Sequence, residues 1–229
     1  MKVVILAGGL GSRLSEYTKI MPKPMVKIFN VPIIVRIIKF YEKFGYKEFV
    51  IAAGYKSKII ENYFKKNLTR LKIDVINTGK KTLTGGRIKR LKKILDNKRF
   101  LLTYGDGLCD VNIKKLLNFH IKNKNFVTLT AVRPPARFGG IKILGAKVKY
   151  FKEKSSLDEG WINGGFFVME PEIFKFLKND FSVLERSPLE KICQLNKLGA
   201  YKHKSYWQCM DTIRDKEKLE ELVRKKIFK

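Results

Sequence analysis

The first 133 residues alternate short, unbroken apolar runs with stretches whose apolar residues recur at helical spacing. That alternation constrains the fold more than any other feature. Residues 2–7 (KVVILA) are the pattern of a strand buried on both faces. In VPIIVRIIKFYEKFG, Ile33, Ile34, Ile37, Ile38 and Tyr41 share one helical face, with Pro32 suited to the first turn and Gly45 to the C-terminal cap. EFVIAAG reads as the next strand and KSKIIENYFKK as the next helix. LKIDVIN and RFLLTYGD are further strands on either side of a basic helix, GGRIKRLKKILD, and the amphipathic NIKKLLNFHIKN leads into the strand FVTLTAV. Such an order predicts an α/β fold with a mostly parallel sheet covered on both faces.

After RPPARFGG the texture changes to short alternating segments, IKILGAKVKYFKEK and GGFFVME, which predict added antiparallel strands. The chain closes on a helix with Leu219, Leu222, Val223 and Ile227 on its apolar face. No linker, internal repeat or low-complexity tract interrupts it, so one compact domain over residues 1–229 is expected.

With 45% hydrophobic and 31% charged residues the balance is that of an ordinary globular protein, but a formal net charge of +28 is not ordinary. It would concentrate a polyanion near the surface: a nucleotide, a nucleic acid or an anionic membrane. The lysines are dispersed, without the interleaved aromatics of a nucleic-acid-binding stripe, so solvated faces are the simpler reading and a basic nucleic-acid-binding protein the more distant alternative. Cys109, Cys193 and Cys209 are odd in number and contain no CxxC pair, which argues against a disulfide framework and a structural zinc site and fits a reducing cytoplasm. No apolar stretch approaches a membrane span, so a soluble protein with no membrane partner is expected.

A glycine-rich turn, GGLG at 8–11, directly follows the first strand. Small residues there let backbone N–H groups approach a phosphate chain. Two named phosphate loops fail the test. The dinucleotide fingerprint would need a third glycine where Leu14 stands, and no segment supplies a Walker A lysine at its required spacing. What remains is a glycine turn with Arg13, whose guanidinium can grip two phosphate oxygens, and Lys23 held between Pro22 and Pro24. Taken alone, an ordinary strand-to-helix turn with incidental solvated cations is the better explanation.

Two carboxylates sit where an α/β sheet places its ligands. Asp106 ends a buried strand between two glycines and suits either a divalent cation or an Asp-Gly turn. Asp211 precedes the last helix, where N-capping competes with metal binding. His120 reads as structural, and His203 has no partner visible in the sequence. Trp161 and Trp207 read first as core or rim packing.

Taken in order, GGLGSRL and PKPMV, TGGRIKR, YGDG, PPARFG, EK followed by WINGGFFV, and WQCMDTIRDK resemble the sugar-phosphate nucleotidyltransferase family, nearest to its glucose-1-phosphate cytidylyltransferase branch. The resemblance runs from Met1 to about Leu222. It implies a Rossmann-like three-layer fold with a mixed sheet, and transfer of CMP from CTP to a small phosphorylated acceptor with release of pyrophosphate. It further implies that Leu6, Ala7, Gly8, Gly9 and Gly11 line the nucleotide, Arg13 holds the pyrophosphate and Lys23 meets the α-phosphate. Thr84, Gly85, Gly86 and Arg87 would lie near the base and triphosphate. Asp106 and Asp211 would carry Mg²⁺, and Lys154 would pair with the acceptor phosphate. Arg137, Glu153, Asn163 and Gly164 would border the acceptor, and the enzyme would be a homo-oligomer.

The chain departs from the glucose-specific pattern at three places. FKKNLTRLKIDVINTG is a shortened connection, Ser155 replaces the proline of an EKP segment, and Ser187 stands where an acid is common. These departures fall on the acceptor side or at the assembly interface. A sugar 1-phosphate such as glucose 1-phosphate and a non-sugar phosphate such as L-glutamine phosphate, used in capsule phosphoramidate synthesis, both remain open as acceptors.

Overall fold

Six strands of the central sheet run one way and one runs against them. The computed structural model describes residues 1–67, 70–134, 140–152 and 160–228. Its strands are β1 (Val3–Ala7), β2 (Glu48–Ala53), β3 (Lys72–Asn77), β4 (Phe100–Tyr104), β5 (Gly107–Cys109), β6 (Val127–Val132), β7 (Gly140–Leu144), β8 (Lys147–Lys152), β9 (Ile162–Met169), β10 (Leu198–Lys202) and β11 (Trp207–Cys209). The principal helices are α1 (Ile33–Glu42), α2 (Ser57–Lys66), α3 (Thr84–Arg90), α4 (Ile113–Lys122), α5 (Ser187–Gln194) and α6 (Ile213–Arg224).

The seven-stranded sheet has the order β10-β6-β9-β4-β1-β2-β3. Antiparallel β9 lies between β4 and β6, as the change of texture after residue 133 suggested. The chain builds outward from β1 through β2 to β3, then returns to place β4 on the other side of β1. The strand order therefore reverses between β1 and β4, and ligands of open α/β sheets bind beyond the carboxyl ends of strands at such a reversal. Gly8 follows β1 there, and Asp106 follows β4.

Burial explains why β1 reads as continuously apolar. Val3, Ile5 and Ala7 pack with Ile33, Ile37 and Tyr41 of α1 on one face, whereas Val4 and Leu6 join Ile88 of α3, Leu102 and Phe167 on the other. Both faces are covered, giving three layers. Each fully buried isoleucine in these clusters contributes about 1.5–3 kcal/mol relative to exposure.

Two local differences from the sequence expectation have identifiable causes. The basic helix begins at Thr84 and divides at Leu91 into α3 and a short turn, Lys92–Leu95, after which Asp96 and Asn97 reverse the chain in left-handed conformation (φ 53° and 49°). Strand β10 carries mixed, partly exposed residues without alternation, and β11 is only three residues long with a polar residue, Gln208, buried at its centre, so no pattern announced them. No described helix is long and apolar enough to cross a membrane.

Candidate active site

The backbone after β1 turns sharply at Gly11, whose φ of 66° lies in the left-handed region that favours glycine. A Cβ at Gly11 would stand 2.7 Å from the Thr18 methyl, and the Gly11 carbonyl accepts from the Leu14 N–H (2.9 Å) and the Thr18 hydroxyl (3.1 Å). Gly9 is exposed, and a Cβ there would meet nothing within 4 Å. Gly8 is tight for another reason: a Cβ would fall 2.1 Å from the Arg87 guanidinium.

Arg87 is buried from α3 beneath the turn. Its Nη1 donates to the carbonyls of Ala53 (3.2 Å) and Gly79 (2.8 Å) and to the Thr78 hydroxyl (2.6 Å), and its Nη2 donates to the Gly8 carbonyl (2.8 Å). One guanidinium thus ties together the carboxyl ends of β1, β2 and β3. Among the described residues no carboxylate pairs with it. Burial, and then the neighbouring Arg90 charge, lower its pKa from the arginine value. A cation met by carbonyl and hydroxyl dipoles instead of a carboxylate leaves positive potential under the glycine turn. Replacing Arg87 with Met is expected to cost roughly 2–4 kcal/mol, because the Gly79 carbonyl and the Thr78 hydroxyl lose the guanidinium and the Gly8 carbonyl keeps only the Tyr55 N–H (3.2 Å). A urea midpoint equal to that of the wild type would contradict this.

Flanking prolines hold Lys23: Met25 N–H bonds the Pro22 carbonyl (2.8 Å) and Val26 N–H bonds the Lys23 carbonyl (3.0 Å). Its Nζ lies 2.6 Å from Asp106 Oδ2 and 2.6 Å from Asp211 Oδ1. Burial alone would lower its pKa, but the two carboxylates outweigh that and raise it above the lysine value. Arg13 Nη1 reaches Asp211 Oδ2 at 2.8 Å from a largely exposed side chain. Such an exposed pair is worth little, so Arg13 is held loosely.

A short antiparallel pairing brings the aspartates together. β5 pairs with β11, Gly107 opposite Cys209, and the Met210 N–H bonds the Asp106 carbonyl (2.8 Å). The capping question at Asp211 is settled by its neighbour. Thr212 caps α6 in a capping box with Asp215, whose Oδ2 accepts from the N–H groups of Asp211 (3.1 Å) and Thr212 (2.9 Å). Asp211 is thereby positioned by the cap without supplying it.

These residues line a cleft of about 590 Å³ at the strand-order reversal. It gathers Leu6, Ala7, Gly8, Gly9, Gly11, Arg13, Lys23, Thr84, Arg87, Asp106, Asn163 and Asp211, all singled out from the sequence. Gly85, Gly86 and Gly164 are placed elsewhere. Cβ atoms at Gly85 and Gly86 would meet the Ser182 carbonyl (2.8 Å) and the Asp180 carbonyl (2.3 Å), so these glycines let α3 pack on the 179–182 turn. Gly164 packs against Val132, and its carbonyl accepts from Trp207 Nε1 (2.7 Å). Arg137, Glu153, Lys154 and Ser155 lie outside the described residues.

Other candidates find structural partners. Trp161, Trp207 and His203 line a separate cavity, where His203 Nε2 meets Asp110 Oδ1 at 2.8 Å. His120 is buried between Thr128 (2.9 Å) and Glu170 (3.1 Å), and burial lowers its pKa. Tyr104 and Glu185 line the cleft without having been marked by the sequence. Tyr104 could have been suspected, since it immediately precedes Gly105 and Asp106. Glu185 meets Thr84 across 101 positions, and no local signal exists.

The sequence matches the model of the Nucleotidyl transferase family over residues 2–214. The chain belongs to that family. This nucleotidyltransferase is 41% identical over 248 residues to the glucose-1-phosphate cytidylyltransferase of Salmonella typhimurium, covering 98% of this chain and 96% of that one. It is 34% identical over 198 residues to the D-glycero-alpha-D-manno-heptose 1-phosphate guanylyltransferase of Campylobacter jejuni, with 86% of each chain covered. Among solved structures, HddC from Yersinia pseudotuberculosis complexed with GMP-PN superposes with a TM-score of 0.76 at 27% identity, over 97% of this chain and 99% of that one.

Nucleotidyltransferases of this family generally use a divalent metal. The aspartates of this nucleotidyltransferase fit one. Both offer hard oxygen donors, and both converge on a single cation, the Lys23 ammonium.

Proposed function

We propose that this nucleotidyltransferase is a cytidylyltransferase that moves CMP from CTP to a sugar 1-phosphate, glucose 1-phosphate foremost, with release of pyrophosphate. The observation that carries the reading is the convergence of Arg13, Lys23, Asp106 and Asp211 beside a glycine turn at the strand-order reversal. The 41% identity to a glucose-1-phosphate cytidylyltransferase supports the choice of donor and acceptor. Cytoplasmic location, homo-oligomeric assembly and a part in surface-polysaccharide precursor synthesis belong to the same proposal.

The backbone of Gly8, Gly9 and Gly11 runs along the nucleotide, over the positive potential of Arg87. An acceptor phosphate has its second pKa near about 6, so at neutral pH its dianion attacks without a protein base. Its oxygen forms a bond to the α-phosphorus while the bond to the β-phosphate oxygen breaks. The obstacle is repulsion between anions. Lys23 offsets charge at the α-phosphate, the exposed Arg13 meets charge as it gathers on pyrophosphate, and Lys154, with Arg137, Glu153 and Asn163, holds the acceptor. Asp106 and Asp211 would hold Mg²⁺, which when bound neutralises phosphate oxygens.

Pyrophosphate release from CTP, UTP, dTTP, ATP and GTP against glucose 1-phosphate and heptose 1-phosphate tests this. Release confined to CTP with glucose 1-phosphate is expected. Release confined to GTP with the heptose phosphate, or none with any pair, would overturn it.

A further inference from the structure

Among the described residues three acidic side chains line the cleft, and one of them is bonded to neither Lys23 nor Arg13. Asp106 and Asp211 meet Lys23, whereas Glu185 reaches in from the turn before α5. Its Oε2 accepts from the Thr84 hydroxyl (2.7 Å), whose oxygen accepts from the Leu184 N–H (2.9 Å). Its Oε1 accepts from the Tyr104 hydroxyl. That phenol oxygen accepts in turn from Asn163 Nδ2 (3.1 Å), and Asn163 Oδ1 is fixed by the Gly165 N–H (2.9 Å). Every donor in the relay points toward Glu185, so its carboxylate is the terminal acceptor. Burial of Tyr104, and then the Glu185 charge, push the phenol pKa up, which keeps Tyr104 a donor.

An ionised carboxylate offers about four lone-pair sites, and two of these are taken. Glu185 lines a cleft otherwise organised for phosphates, which a carboxylate repels, so on a phosphorylated substrate its partners are hydrogen-bond donors remote from the phosphate. Asn163, which the family resemblance places at the acceptor, is tied to Glu185 through Tyr104.

We propose that Glu185 reads hydroxyl groups of the sugar phosphate acceptor, accepting hydrogen bonds from a neighbouring pair of them. The proposal rests on the cytidylyltransferase reading. A site built to bond a hydroxyl rejects an analogue that lacks it, because its own polar groups are left unpaired. Thr84 and Tyr104 are positioning residues, which set the carboxylate plane.

The test is steady-state pyrophosphate release by wild type, Glu185→Gln and Tyr104→Phe, with glucose 1-phosphate and its monodeoxy analogues at saturating CTP and Mg²⁺. Glu185→Gln is expected to raise the acceptor KM by about tenfold to a hundredfold, with the KM for CTP and the melting temperature little changed. Tyr104→Phe keeps the carboxylate and should have the smaller effect. With wild type, the analogue lacking a hydroxyl that Glu185 reads should lose a similar factor, and with Glu185→Gln it should lose little more. An unchanged acceptor KM, a parallel rise in the KM for CTP, or full additivity with every deoxy analogue would overturn the assignment while leaving cytidylyl transfer standing. A wild type that releases pyrophosphate with no sugar phosphate would overturn both.

Discussion

Replacing Lys23 with Gln is expected to lower kcat for pyrophosphate release by at least about a thousandfold, the upper range for removing one preorganised electrostatic donor. The side chain cannot be substituted by solvent. It is 12% exposed, its backbone is set by two prolines, and it lies within 2.6 Å of both aspartates. Removing the ammonium leaves two partly buried carboxylates facing each other without their shared counter-ion, which raises their affinity for protons and for any divalent ion. A melting temperature that falls in the variant, and recovers with Mg²⁺ more than in the wild type, would report that electrostatic release. The pH sign follows from the raised pKa. The ion-pair contribution of Lys23 is complete below the unfolded lysine value of about 10.5 and is lost only as pH rises through its folded value, so alkaline inactivation below pH 10 has another source.

Asp106→Asn and Asp211→Asn should each reduce turnover by about three orders of magnitude or more while the fold persists. The substitutions keep shape and hydrogen-bonding capacity but remove the charge on which a hard cation depends. Asp211 is the more exposed to secondary effects because it anchors both Arg13 and Lys23, whereas Asp106 meets Lys23 alone of these two. Loss of activity in Asp106→Asn should therefore be partly recovered at high Mg²⁺, and in Asp211→Asn hardly at all. Kinetics over a metal titration would check both. Wild-type turnover in either variant would remove that residue from the metal site.

The parallel part of the fold was legible because burial on both faces leaves an unbroken apolar run, which β1, β2 and β4 display. The glycine turn and Asp106 were legible for a related reason: they follow those runs directly. That Asp211 need not cap the last helix was legible in the sequence, because Thr212 and Asp215 carry the capping-box spacing there. In TGGR the residue types were visible but their assignment was not. Gly85 and Gly86 meet carbonyls of the 179–182 turn, contacts that tertiary packing alone creates. The charge of Arg87 was equally plain, but nothing local records that three strand ends converge on it. Glu185 was hidden by distance along the chain, since its partners Thr84 and Tyr104 lie on elements that meet only after the sheet has closed.

A crystal structure of the enzyme with CTP and magnesium, without acceptor, is the decisive observation. The triphosphate should lie along Gly8, Gly9 and Gly11 with Lys23 and Arg13 on its oxygens, and the ion should bridge Asp106 and Asp211. A nucleotide bound elsewhere, with both carboxylates still closed on Lys23, would contradict the proposed chemistry of the cleft.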